Sequence, residues 1–168
     1  MRILQIAFFG LVVLCLNSCR VSYSFSGADI PAEAETFSVD YFTSTAALVS
    51  PNFNQQFTEA LKDLLLAQTP LDIVRSNGDI MFSGTIVKYE TRPVAAQGNQ
   101  TAALDRFTIE VEVSYINRIE PDKNFEKRFS RFVDFESQRN FSDVEEGLAQ
   151  EITEQLIQEI FNASVGNW

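Results

Sequence analysis

The stretch Leu104–Asn117, "LDRFTIEVEVSYIN", decides the fold. Phe107, Ile109, Val111, Val113 and Tyr115 fall on one parity, and Thr108, Glu110, Glu112 and Ser114 on the other. Successive side chains of a strand point to opposite faces, so this segment must have one buried and one wet face. A strand that is half wet belongs to an antiparallel sheet covered on one side only. The sequence on either side supplies the neighbours. Asp79–Tyr89, "DIMFSGTIVKY", precedes it and reads as a long strand, with Ile80, Phe82, Gly84 and Ile86 on one face. Gly84 in mid-strand points to close approach of a helix or to a bulge. Residues 90–103 are polar and small, with Pro93 and Gly98, and read as a long loop. After the turn Glu120-Pro121-Asp122-Lys123, residues 124–136 return as another strand. Phe125, Phe129, Val133 and Phe135 share its apolar parity, but so do Lys127 and Arg131, so either a bulge shifts the register or the two cations snorkel at the sheet edge.

Two helices cover such a sheet. Phe53, Phe57, Ala60, Leu61, Leu64 and Leu65 recur at helical spacing. Ser50 suits the N-cap and Pro51 the first helical position. The helix stops before Thr69-Pro70, because a residue preceding proline avoids helical geometry. Val144, Leu148, Ile152, Leu156 and Ile160 mark a second helix ending near Phe161, with Ser142 to Glu145 as a capping box. Thr36–Phe42 alternates as a strand, Phe37, Val39 and Tyr41 against Thr36, Ser38 and Asp40; Leu71–Val74 is a brief one, and Ser76-Asn77-Gly78-Asp79 is a turn. The expected architecture is an α+β two-layer sandwich. Two amphipathic helices pack on one face of a mixed, mostly antiparallel sheet of four to five strands.

The N-terminus is of another kind. Ile3–Leu16 is almost wholly apolar, but fourteen residues of helix reach about 21 Å, short of the roughly 30 Å bilayer core. It fits the apolar region of a signal peptide. Leu16-Asn17-Ser18-Cys19 resembles a bacterial lipobox, which implies cleavage before Cys19 and acylation of that residue. Residues 1–18 are then a discarded signal, 19–35 a lipidated tether and 36–168 one α+β domain. Tyr23 and Phe25 are candidates to dock on that domain. Several acyl chains, each methylene contributing about 0.8 kcal/mol, give a firm anchor. The alternatives are an ordinary signal peptide with a chance cysteine, or an uncleaved anchor.

Composition narrows the function. Cys15 and Cys19 are the two cysteines, and there is no histidine. With Cys15 removed and Cys19 acylated, no thiol nucleophile, disulfide or cysteine–histidine zinc site can form, and no Ser-His-Asp triad. No cofactor is expected apart from the diacylglycerol and N-acyl chain on Cys19. The formal net charge of −10 becomes −11 once Arg2 is lost, which argues against nucleic acid as a partner. Glu110 and Glu112 could hold a cation or act as paired acids, though such a pair is more often a solvated face. Asn99-Gln100-Thr101 matches a glycosylation sequon that a bacterial lipoprotein rarely uses. Positive charge is concentrated at Arg118, Lys123, Lys127, Arg128, Arg131 and Arg139. It either balances neighbouring carboxylates or meets the phosphates of a lipid headgroup or an acidic partner.

Taken in order, several segments carry a resemblance. Cys19 is followed by Tyr23-Ser-Phe-Ser-Gly27, then by "FNQQFTEALKDLLLAQTPLDIV" (53–74), "GDIMFSGTIVKYETRPV" (78–94), "DRFTIEVEVSYIN" (105–117) and "RFVDFES" (131–137). This set resembles the lipopolysaccharide-assembly lipoprotein family, LptE, across essentially the whole chain after Cys19. The resemblance implies a non-catalytic outer-membrane lipoprotein, anchored on the periplasmic face or seated in a barrel lumen. Such a protein partners and plugs the LptD β-barrel translocon and binds lipopolysaccharide. The family's lipopolysaccharide contact uses basic side chains, for which Arg92, Lys127, Arg128 and Arg131 are the candidates here. The alternative is a free periplasm-facing outer-membrane lipoprotein that binds a small ligand or an envelope component.

Overall fold

A computed structural model describes residues 30–94 and 103–166. The signal segment, Cys19, Arg20, Tyr23, Phe25, most of the tether and the sequon at 99–101 lie outside these residues.

The elements are β1 (Thr36–Val39), β2 (Thr43–Ser44), α1 (Phe53–Gln68), β3 (Asp72–Ile73), β4 (Ile80–Val94), β5 (Leu104–Asn117), a 3-10 turn (Pro121–Lys123), β6 (Phe125–Glu136) and α2 (Phe141–Ser164). They build one six-stranded sheet in the order β3-β1-β4-β5-β6, with β2 also pairing β4. β1 is parallel to β3 and β4, whereas β4, β5 and β6 form an antiparallel meander. The α+β sandwich of two helices on a mixed sheet is as expected, with more strands than the four to five anticipated.

The alternation of β5 holds throughout: Phe107, Ile109, Val111 and Val113 are fully buried, and Tyr115 is 1% exposed. Facing them are Phe37, Phe82 and Ile86 from the sheet, Phe57, Leu61 and Leu65 from α1, and Ile152, Leu156 and Ile160 from α2, in one continuous core.

Several local expectations change. The first strand breaks at Asp40, whose N–H donates to the Phe82 carbonyl. Tyr41 turns outward and Phe42 inward, reversing the parity read across 36–42. The Phe42 ring then lies on Phe57, with centroids 5.0 Å apart. That ring explains Gly84: a Cβ there would stand 2.5 Å from Phe42 Cε1 and 2.5 Å from the Glu112 carbonyl oxygen. An aromatic ring approaches the strand at this point, and the bulge lies further on, between Ile86 and Lys88. The bulge resets the parity so that Lys88 points outward and Tyr89 inward. β4 continues to Val94, so residues 90–94 extend the strand and do not belong to the loop.

Both helix starts differ from the reading. α1 begins at Phe53 with Asn52 at the N-cap position, and Ser50 contributes only its carbonyl, which accepts from the Phe53 N–H. α2 begins one residue before Ser142 with no side-chain cap, and Glu145 turns to another partner. It also runs three residues beyond Phe161. The stop before Thr69-Pro70 holds. Thr69 is extended (φ −126, ψ 156), and its N–H and hydroxyl both donate to the Leu65 carbonyl.

At the other end of β4, Asn77 takes a positive φ of 58° and Gly78 passes against β1, where a Cβ would meet the Phe37 carbonyl carbon at 2.6 Å. The next residue fastens the crossing. Asp79 Oδ2 accepts from the Glu35 N–H, the Thr36 N–H and the Thr36 hydroxyl at 3.1, 3.0 and 2.8 Å.

Candidate functional site

The helices cover one face of the sheet and leave the other open. The β4–β5–β6 register arranges that open face in rows. Thr85, Glu112 and Arg128 form one row, Lys88, Glu110 and Ser130 the next, then Glu90, Thr108 and Phe132, then Arg92, Arg106 and Asp134. Cross-strand neighbours on one face are close enough to interact directly. Three of these neighbour pairs are opposite charges, Lys88–Glu110, Glu112–Arg128 and Arg106–Asp134, whereas Arg92 faces Arg106 and finds its carboxylate along its own strand. Arg128 Nε is 2.6 Å from Glu112 Oε2, and its Nη1 is 3.9 Å from Glu110. Lys88 Nζ is 3.1 Å from Glu110. Arg92 pairs with Glu90 at 3.0 Å. Arg106 holds Asp134 bidentately at 2.7 and 2.9 Å, and its guanidinium lies 3.6 Å from the centre of the Phe132 ring.

Ionisation follows these contacts. The Arg106 hydrogen bond holds the Asp134 carboxyl below its ordinary range, with partial burial opposing. Hydrogen bonds from the Thr36 hydroxyl and then from the backbone N–H groups of Glu35 and Thr36 do the same for Asp79. Tyr89 goes the other way. Burial, then the Glu145 carboxylate it donates to, push its phenol far above the usual value.

The four basic candidates are therefore split. Arg92 and Arg128 lie on the open face in rows roughly 20 Å apart along the strand direction, from the strand rise. Lys127 and Arg131 point to the helix side, paired in register with the buried Val113 and Ile109 of β5. No bulge interrupts β6, so snorkelling at the edge is how these cations are accommodated. Lys127 Nζ reaches back over the Phe129 ring at 5.0 Å, and Arg131 Nη2 meets Glu159 Oε2 of α2 at 2.8 Å. Arg92, Arg128 and Arg131 each have a carboxylate partner; Lys127 has none among the described residues. Glu110 and Glu112 are counter-ions to Lys88 and Arg128. Among the described residues no cluster of acidic, cysteine or histidine side chains could hold a metal.

Arg106 was not a sequence candidate, although it sits on the wet parity of β5. Only the register with β6 reveals that Asp134 is its partner. Tyr89 with Glu145 was missed for a related reason, because the bulge that turns Tyr89 inward leaves no mark in the alternation.

The family model LptE, Lipopolysaccharide-assembly, matches residues 34–164, from just before β1 to the end of α2. No curated protein matches the sequence. Solved structures share the fold. An uncharacterised lipoprotein B from Nitrosomonas europaea aligns with a TM-score of 0.51 at 14% identity, covering 85% of this chain and 88% of that one. A putative neuraminyllactose-binding hemagglutinin homolog from Helicobacter pylori aligns at 0.53 and 9% identity, covering 84% and 88%. A DUF330 protein from Xanthomonas campestris gives 0.52 and 11%, covering 86% and 89%. At such identities the likeness concerns the fold alone. The match over residues 34–164 places the chain itself: it belongs to the LptE family of lipopolysaccharide-assembly proteins.

Proposed function

We propose that this chain is a non-catalytic outer-membrane lipoprotein, acylated at Cys19, that partners and plugs an LptD-type β-barrel translocon during lipopolysaccharide assembly. The observation that carries the reading is the family match across residues 34–164. The lipobox supports the anchor. No helix among the described residues is long and apolar enough to cross a membrane. The open sheet face supports the partnership. The lumen of an outer-membrane barrel is polar, and rows of paired charges suit a polar wall better than lipid.

The order of the elements supports an orientation. The described chain begins at Ile30, at the end of the sheet where β1 starts and the β5–β6 turn lies. The β4–β5 hairpin opens at the far end. A lipid on Cys19 holds the first end at the membrane and leaves the hairpin pointing away.

Direct lipopolysaccharide contact through Arg92, Lys127, Arg128 and Arg131 belongs to the same proposal. Phosphates would compete with a carboxylate at three of these positions, which makes Lys127 the first to test. Depletion of the protein tests the main reading. The expected result is a misassembled, scarce barrel and less surface lipopolysaccharide. Normal barrel levels with unchanged surface lipopolysaccharide would contradict it and favour a free lipoprotein.

A further inference from the structure

A trough lies between α1 and α2 where both helices begin. One lobe, about 290 Å3, separates Asn52–Gln56 from Ser142–Ala149, with Tyr89 at its side. A second lobe, also about 290 Å3, continues past Ala60 and Thr153 as far as Glu154. The lobes share Phe53, Gln56, Glu146 and Ala149, so together they form an elongated channel. It stays open because Ala60 and Ala149, on its two walls, are too small to close it. Phe53, 2% exposed, gives it an apolar floor.

Its charge is one-sided. Glu145, Glu146 and Glu154 line the lobes, and among the described residues no lysine or arginine does. α2 carries six acidic residues and no basic one. Lys62, the single cation of α1, is held by Glu59 at 3.0 Å. Glu145 is fixed by a neutral donor, the Tyr89 hydroxyl at 2.7 Å, which orients the carboxylate without cancelling its charge. The α2 N-terminus nearby favours negative charge, and Asp143 already stands in its first turn. The open sheet face neutralises most of its charges internally, whereas the trough leaves its own uncompensated.

We propose that this interhelical trough seats an extended segment of a partner protein that carries arginine or lysine beside an apolar side chain. The cation meets Glu145 and Glu146, and the apolar group rests on Phe53 and Ala149. Two lobes in line suit an extended chain better than a compact ligand. Tyr89 stands about 30 Å along β4 from the turn at 76–79, far from the lipid-bearing end, so the bilayer surface is not the occupant. Exclusion of the bilayer rests on the proposed acylation at Cys19; binding of a cationic segment in the trough does not rest on the barrel reading.

The test uses the full chain in a zwitterionic detergent with a labelled Arg-Leu-Arg-Leu-Arg-Leu peptide, and Glu-Leu-Glu-Leu-Glu-Leu as control. Gln56 and Glu146 are exposed, so Gln56→Lys and Glu146→Gln leave the core untouched. Gln56→Lys supplies an internal cation to the trough. Each variant is expected to weaken binding of the cationic peptide about fivefold or more, roughly 1 kcal/mol, while Glu151→Gln on the same helix changes it less than twofold. An equal loss in all three variants would mean diffuse attraction to an acidic surface and would overturn the proposal. So would undiminished binding to Gln56→Lys, tighter binding of the acidic peptide, or chemical-shift changes at Gln56 and Glu146 on addition of inorganic phosphate. Loss of peptide binding beside an intact barrel complex, or the reverse, separates this proposal from the functional one.

Discussion

Gly84 shows how one residue can record a tertiary contact. The sequence marks an anomaly, a glycine in mid-strand, but cannot name the Phe42 ring that requires it, because Phe42 arrives from forty-two positions earlier after a break in parity. Gly84→Ala forces that ring or the Glu112 carbonyl to move and is expected to cost about 1–3 kcal/mol, read from urea unfolding. An unchanged midpoint would mean that the ring yields freely. Tyr89 offers a second check. It is 5% exposed and donates to Glu145, so Tyr89→Phe leaves a half-buried carboxylate short of a donor and should lower stability by about 1–2 kcal/mol. Because burial and Glu145 raise its phenol pKa, its stabilising contribution is complete below the unfolded tyrosine range and fades as pH rises through the higher folded value. The difference between wild type and Tyr89→Phe should therefore be constant from neutral pH to about pH 9.

Among the elements, what was legible depended on whether one period ran unbroken. β5 was read correctly because its alternation holds from Phe107 to Tyr115. β6 was legible with one ambiguity, resolved by Arg131 reaching Glu159 and Lys127 reaching Phe129. β4 was read correctly as far as the bulge. The helix starts were misread because good capping residues stand one to three positions from where the chain actually turns. The β1–β4 crossing rests on Asp79, invisible in the sequence except as part of a turn. Its depressed folded pKa means that the stabilisation is present above the unfolded aspartate range and is lost as pH falls through the lower folded value. Asp79→Asn is expected to be less stable than wild type at pH 7, with the gap narrowing only once pH falls below the unfolded aspartate value of about 3.9, followed by urea midpoint. A gap as large at pH 2 as at pH 7 would contradict the carboxylate's role. Some acid sensitivity should remain in the variant, since Asp134 is shifted the same way by Arg106.

The whole molecule is a two-layer body with two chemically different faces. Its sheet face carries cations and anions in close pairs, and its two helices carry acids with one lysine, paired to Glu59, while Arg131 of β6 reaches Glu159 from the helix side. The net charge of −10 conceals this division. The basic residues between 118 and 139 looked like one patch because they are close in sequence, but strand alternation sends Arg128 to one face and Lys127 and Arg131 to the other. The family, by contrast, was legible from the order of segments, since the resemblance extended over the same strands and helices that the family model spans. The proposed partnership is tested most directly by affinity purification of the acylated protein from detergent-solubilised outer membranes. The account predicts that a large β-barrel co-elutes at equal stoichiometry and remains through a high-salt wash. Elution of the chain alone, as a monomer, would contradict it.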